Sequence, residues 1–379
     1  MPLFESFLMA GFESACHINK SGLRLDMHAL TQHDRQVAAD YELVRSLDIC
    51  AVRDGVSWPF VERGGTFDFS SLAQALDAAN RHGMQVLWNV FHYGCPDDVD
   101  LFSPAFIGRF ERYCRALARF IHNHSGRVPF YTPINEISFF SWAAGDVGYI
   151  HPYGYQRGRE LKCQLVRAAI AGIEAIWSVN PQARIVQVEP LVHVVHPRGQ
   201  PELARQAAEQ RASQFEAWDM IAGRAEPQLG GHPRYLDVMG FNYYHSNQWE
   251  YPNARLRWED TPRDERWVPL HQLIAELYER YRRPLFVAET SHFGVGRGPW
   301  LREVYTEVKQ ALANGIPLEG LTIYPIIDRP DWDDIEHWHN SGLWDLVRDE
   351  QGILRRVLNE EYAAVLREIQ QEGFTPGSP

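Results

Sequence analysis

The chain lacks the marks of several large functional classes. It has no CxxC pair. Its five cysteines, Cys16, Cys50, Cys95, Cys114 and Cys163, are odd in number and widely scattered. That pattern excludes a zinc knuckle and a disulfide framework. Basic residues form no sustained run, and the densest patch, Arg280-Tyr281-Arg282-Arg283, closes an expected helix where cations complement the macrodipole. With a net charge of −12, no nucleic-acid partner is expected, because a phosphate backbone demands concentrated positive surface. No apolar stretch reaches the roughly 18 residues of a membrane span. The opening Met-Pro-Leu-Phe-Glu shows no basic region leading into an apolar core. The expectation is a cytoplasmic protein in a reducing setting, without a membrane partner. A phosphate-binding glycine fingerprint is also missing. Gly294-Val295-Gly296-Arg297-Gly298 comes nearest, lacks the spacing, and reads as a flexible loop.

What is present is a repeating alternation of short apolar runs and longer amphipathic stretches. Strands are expected at Phe7–Phe12, Ile49–Gly55, Met84–Phe91, Val128–Asn135, Arg184–Glu189, Leu236–Tyr244, Pro284–Glu289 and Gly320–Ile327. Helices are expected at His33–Leu47, Ser70–His82, Pro104–His124, Leu161–Val179, Ala207–Ala222, Leu270–Tyr281, Trp300–Asn314 and Glu360–Gln370. Ser70 reads as an N-cap and Gly83 as the matching helix stop. In the helix from Pro104, Phe106, Phe110, Tyr113, Leu117, Phe120 and Ile121 fall on one face. Eight strands, each followed by helical sequence, imply a parallel sheet closed into a single (β/α)8 TIM barrel of class α/β. The barrel is assigned to residues 1–372, and Gly373 to Pro379 reads as a disordered tail.

Such barrels place their active sites at the carboxyl ends of the strands. In chain order those ends offer Glu13 and His17, Arg53, Asn89 and His92, Asn135-Glu136, Glu189, Asn242-Tyr243-Tyr244, Glu289, and Tyr324 with Asp328. Nearly every end is polar, which a purely structural barrel has no need of, since each buried polar group must be paired. Two of them stand out. Thr132-Pro133-Ile134-Asn135-Glu136 and Phe286-Val287-Ala288-Glu289-Thr290 each deliver a Glu just after an apolar strand. A pair of carboxylates presented by two strands is what glycoside hydrolysis with retention uses, one as nucleophile and one as proton shuttle. Beside them, Asn135 can donate to a sugar 2-hydroxyl, and Arg53 can hold Glu289 ionised. Tyr243 and Tyr244 face opposite sides of one strand, so one of the two belongs to the core.

These anchors resemble glycoside hydrolase family 1, the β-glucosidase-like branch of the retaining (β/α)8 clan. The likeness runs through Arg53, Asn89 to His92, Thr132 to Glu136, Gly240 to Tyr244 and Ala288-Glu289. It implies that Glu136 is the general acid/base, that Glu289 is the nucleophile, and that Tyr244 donates to Glu289. It also implies that His92 and Asn242 serve the sugar, together with Tyr324 and Trp332. A carbohydrate substrate, a β-glycoside, follows from the same resemblance, with no metal and no cofactor. The departures concern the sugar rather than the chemistry. Ile137 follows Glu136 where the family has Pro, and Thr290-Ser291 stand where it has Asn-Gly. Tyr324 replaces a Trp, Asp331-Trp332 replace a Glu-Trp pair, and Glu13 or His17 stands in for a Gln near strand one. Two alternatives stand beside this reading: a metal-dependent hydrolase on the same barrel, prompted by 16 His, and a non-catalytic carbohydrate-binding barrel.

Overall fold

The computed structural model describes residues 2–374. Eight parallel strands close into a barrel in unbroken sequence order. They are β1 (Leu8–Gly11), β2 (Ala51–Gly55), β3 (Gln85–Asn89), β4 (Phe130–Thr132), β5 (Arg184–Pro190), β6 (Val238–Asn242), β7 (Leu285–Thr290) and β8 (Leu318–Ile323). Around them run α1 (His33–Arg45), α2 (Ser70–His82), α3 (Ala105–His124), α4 (Gly158–Val179), α5 (Ala204–Ala212), α6 (Leu270–Tyr281), α7 (Arg297–Ala313) and α8 (Glu360–Glu372). The expected (β/α)8 TIM barrel is the observed fold. Between β8 and α8 the chain adds an antiparallel hairpin, β9 (Trp344–Arg348) and β10 (Leu354–Leu358).

The barrel has two apolar layers with different jobs. Phe4, Met9, Ala51, Leu87, Phe130, Val186, Val188, Val238, Phe286 and Ala288 fill the lower interior as one cluster. A larger cluster binds the outer faces of the strands to the helices. In α3 the stripe of Phe106, Phe110, Tyr113, Leu117 and Ile121 is buried as its period demands, while Phe120 is half-buried against Phe69. With the lower barrel plugged by apolar side chains, the inward positions one layer higher are left to Arg53, Asn89 and Asn242, all buried.

Several boundaries move, each for a local reason. Ser70 is the first helical residue rather than the cap. Phe69 takes the cap position, and the Asp68 carboxylate accepts the Ser70 amide at 2.9 Å. Gly83 ends α2 with φ 66°, a conformation an L side chain resists. The single helix expected over Ala207–Ala222 is two, α5 and Glu216–Ile221, broken by a 3-10 turn at Ser213–Phe215. There Gln214 turns inward, and its side-chain oxygen accepts the Val192 amide at 2.8 Å. Gly294 to Gly298 is not a flexible loop. Gly294–Gly296 forms a 3-10 turn that enters α7 at Arg297. Arg297 anchors that turn by donating to the Gly294 and Gly342 carbonyls and to Asp345. Of the expected tail, Gly373 and Phe374 are described, with Phe374 stacked on Phe7 at 4.1 Å. The rest of it, 375–379, lies outside the described residues.

Candidate active site

The site grows from Arg53 on β2. Its guanidinium is fully buried and spends its rigid fork on four acceptors. Nη1 donates to the Ala288 carbonyl at 2.6 Å and to Glu289 Oε1 at 3.0 Å. Nη2 donates to Asn89 Oδ1 and Asn135 Oδ1, both at 3.1 Å. One charge therefore ties together β2, β3, β7 and the end of β4. The second oxygen of Glu289 accepts the Tyr244 hydroxyl at 2.7 Å. A bulge aids this aim: the β6–β7 register slips between Val287 and Glu289, bringing Glu289 opposite Asn242. Bulges beside active sites re-aim side chains in this way.

Glu136 is reached differently. β4 stops at Thr132, and Asn135 and Glu136 attach by backbone bonds to the Phe91 and Val188 carbonyls at 3.0 Å. Glu136 adopts φ 47°, a left-handed conformation that costs a non-glycine residue of the order of 1 kcal/mol or more. Its carboxyl accepts Asn242 Nδ2 at 2.8 Å on one oxygen and the Tyr93 hydroxyl on the other. Burial against protein and the neighbouring Glu289 charge raise its pKa to about 8, overriding the two donors, which favour the anion. The two carboxyls thus sit in opposite environments, Glu289 on a cation and a hydroxyl and Glu136 on neutral donors beside a negative charge.

The remaining expected residues take these places. His92 is buried, and its Nδ1 meets Ser14 Oγ at 2.9 Å while Asn135 Nδ2 reaches its Nε2 at 3.4 Å. Burial lowers its pKa to about 3, so the ring is neutral. Ser14 can come this close only because residue 55 is glycine: a Cβ there would lie 2.1 Å from Ser14 Cβ. Tyr324 donates to Glu13 Oε1 at 3.1 Å, and Glu13 Oε2 lies 3.3 Å from Arg329 Nε. Gly11 makes room for the Tyr324 ring, since a Cβ at residue 11 would fall 2.4 Å from it. Trp332 packs edge-on to His17 at 4.6 Å and to Tyr93 at 5.8 Å. His17 is fully buried, with burial lowering its pKa to about 3. Asp331 turns away to His339 Nε2 at 3.0 Å. Of the neighbouring tyrosines, Tyr243 is the core residue, stacked on Trp300.

Tyr93 is the residue the sequence reading missed. Its place directly after His92 was the available signal, but an aromatic at a strand end reads equally well as packing. Glu189, a strand-end carboxylate, is instead drawn to the short helix Ile137–Ser141, accepting the Ser138 amide at 2.9 Å. Burial raises its pKa to about 7. Several buried polar atoms around the two Glu have no hydrogen-bond partner: Asn89 Nδ2, Asn242 Oδ1, both His17 nitrogens and Trp332 Nε1. These atoms leave hydrogen-bonding capacity around the two carboxyls that no protein group takes up. Among the described residues, groups able to hold a metal ion occur at His28, His33 and Asp54 and at His245, Glu259 and His292. Neither includes Glu136, Glu289, His17 or His92.

Fold and site together define a (β/α)8 barrel with two strand-end glutamates at its mouth. No protein-family model matches the chain, and no curated protein matches it. Solved structures do. The β-glucosidase from Thermotoga maritima in complex with castanospermine superposes with a TM-score of 0.76 at 16% identity, over 98% of this chain and 99% of that one. The structure described as the family 1 β-glucosidase from Thermotoga maritima gives 0.76 at 15% identity over the same shares. The AHE enzyme from Alicyclobacillus herbarius gives 0.72 at 14% identity, over 90% of this chain and 88% of that one. At these identities the likeness establishes the shared fold.

Proposed function

We propose that the protein is a retaining exo-β-glycosidase of the family 1 type, hydrolysing a β-glycoside by double displacement. The observation that carries this reading is the unequal treatment of the two carboxyls. Glu289 receives the Arg53 guanidinium and the Tyr244 hydroxyl, as an anionic nucleophile needs. Glu136 is raised to about 8, as a general acid working near neutrality needs. In the first step a Glu289 oxygen bonds to the anomeric carbon while Glu136 passes its proton to the departing glycosidic oxygen. In the second, Glu136 takes a proton from water, whose oxygen displaces Glu289 and restores the free enzyme. Glu136 serves both proton transfers, so the reaction as proposed calls for no cofactor.

Asn135 Nδ2, oriented through the Arg53–Asn135 bond, is the donor proposed for the sugar 2-hydroxyl. The unpartnered polar atoms of Asn89, Asn242, His17 and Trp332 are the remaining candidates for sugar hydroxyls. Glu13 and Tyr324, already bonded to one another, stand beside them, with Glu13 Oε1 3.8 Å from His92 Nε2. The solved neighbours described as β-glucosidases support a terminal β-linked sugar as substrate. Five unpaired cysteines support a reducing, cytoplasmic setting. A 2-deoxy-2-fluoro aryl β-glycoside tests the reading. It is expected to label Glu289 covalently, with the adduct located by peptide mass, and NMR of the first-formed product is expected to show retained configuration. Turnover with inversion, or labelling elsewhere, would overturn it.

A further inference from the structure

Arg53 and Asp54 are consecutive on β2 and face opposite sides, as strand geometry requires. Arg53 enters the barrel. Asp54 leaves it toward the helical layer, where a second group of titratable side chains gathers. Asp54 Oδ2 lies 3.1 Å from His33 Nε2 and accepts the Tyr41 hydroxyl at 2.7 Å. Its Oδ1 accepts the Gly55 amide at 2.7 Å and lies 3.1 Å from His28 Nε2. His33 opens α1, and its Nδ1 rests 2.7 Å from Asp40 Oδ2. Asp40 is gripped in turn by Arg356, through Nε at 2.6 Å and Nη2 at 2.8 Å.

Five features of this group match what a transition-metal site demands. Two imidazole nitrogens and a carboxylate oxygen come from three separate points of the chain and converge within 4.8 Å of one another. Tetrahedral zinc, with bonds of about 2.0–2.1 Å, holds its ligand atoms roughly 3.3 Å apart; His28 Nε2 lies 3.1 Å from Asp54 Oδ1 and His33 Nε2 3.1 Å from Asp54 Oδ2, one carboxylate oxygen facing each imidazole. His28 Nε2 is enclosed and has no hydrogen-bond partner, although Asp54 Oδ1 lies 3.1 Å away. The outer layer is complete: His33 carries a carboxylate on its second nitrogen, as ligating histidines do, and Tyr41 and the Gly55 amide fix the Asp54 carboxylate. A cavity of about 160 Å³ adjoins the group, with Asp26 and Asp34 in its lining. It supplies both access and a field favourable to cations.

We propose that His28, His33 and Asp54 bind one divalent transition-metal ion of the zinc class, clamping β2 to the segment that carries His28 and α1. The nitrogen-rich donor set favours such an ion over magnesium or calcium, which take oxygen ligands. The ion occupies the place of the His33 Nε2 proton, which passes to solvent. This site is independent of the glycosidase reading, because none of its ligands touches Glu136 or Glu289.

The test uses full-length protein stripped with a chelator and titrated calorimetrically with Zn²⁺, with Co²⁺ as a spectroscopic probe. One equivalent of Zn²⁺ is expected to bind at micromolar concentration and to raise Tm, and Co²⁺ is expected to give the intense visible absorption of a four-coordinate site. His28→Gln removes one ligand while leaving the Asp40–His33–Asp54 bonds in place. It is expected to abolish binding without lowering the Tm of the metal-free protein. His292→Gln, in the other histidine cluster, is expected to bind as wild type does. The proposal fails if wild type takes up no Zn²⁺ at micromolar concentration. It fails equally if His28→Gln binds undiminished, or if His292→Gln is the variant that loses the ion.

Discussion

Tyr244 donates its hydroxyl hydrogen to Glu289 Oε2 at 2.7 Å, so one oxygen of the proposed nucleophile is aimed by a residue from the neighbouring strand's end. The adjacent Tyr243 has no such role. Its hydroxyl accepts Gln248 Nε2 at 2.8 Å inside the core. The pair makes a controlled comparison. Tyr244→Phe removes a hydrogen bond to a charged group, worth about 1.5–3 kcal/mol, and is expected to lower kcat/KM roughly 10–100-fold. Tyr243→Phe is expected to leave kcat/KM intact and cost about 0.5–1.5 kcal/mol of stability. Steady-state kinetics and thermal melts of the two variants check both halves.

Arg53 touches four acceptors at once, so charge alone cannot replace it. Lys at this position keeps the charge but lacks the planar fork. Arg53→Lys is expected to reduce kcat roughly 10²–10³-fold, as loss of a preorganised donor does. Arg53→Ala leaves Glu289 buried without its cation and is expected to destabilise the fold by roughly 3–5 kcal/mol. Chemical denaturation measures the second effect. An Arg53→Lys enzyme as active as wild type would remove Arg53 from the proposed machinery.

The raised pKa of Glu136, about 8, sets the alkaline limit. In the proposed mechanism the free enzyme needs the acid form of Glu136, so kcat/KM is expected to fall as pH rises through about 8. Tyr93 donates to the Glu136 carboxyl and thereby favours its anion. Tyr93→Phe removes that donor, which pushes the pKa further up, and the alkaline limb is expected to move to higher pH. A pH–rate profile of the two proteins shows the direction. Movement to lower pH would contradict the assignment of Glu136 as the acid.

The same shift carries a stability consequence of opposite sense to an ordinary ion pair. The unfolded carboxyl titrates at about 4.3, and the folded one at about 8. Between those values the native state binds the extra proton, so stability declines as pH rises through the window. Glu136→Gln removes the titrating group. Its Tm is expected to match wild type near pH 4 and to exceed it increasingly up to pH 8. Melting curves across that range check the sign, and an equal difference at every pH would refute it.

The alternation of apolar periods was legible at once, because strand and helix leave different spacings in the chain. So α6 falls where expected at Leu270–Tyr281, and all eight barrel strands lie inside or within two residues of their expected runs. The ends were harder. α5 and Glu216–Ile221 separate because Gln214 bonds to Val192, a partner distant in sequence. Ser70 lost the cap to Phe69 because Asp68 supplies the acceptor. Gln214 found a partner 22 residues away that no local pattern records, whereas Asp68 acts only two residues from Ser70, where two side chains competed for one cap.

What the sequence determined by itself is the barrel and the roster of strand-end polar residues, since both depend on local periodicity and on residue type. It did not determine how those residues divide their labour. Arg53 reaches Glu289, Asn89 and Asn135 only because closing the barrel brings β2, β3, β4 and β7 around one interior. Tyr93 finds Glu136, and Glu189 turns away to Ser138, through contacts between segments far apart in the chain. Hydrogen bonds and charge–charge interactions act over a few ångströms of space, without regard to sequence separation. The chain alone could name two glutamates; only the closed barrel made their surroundings unequal.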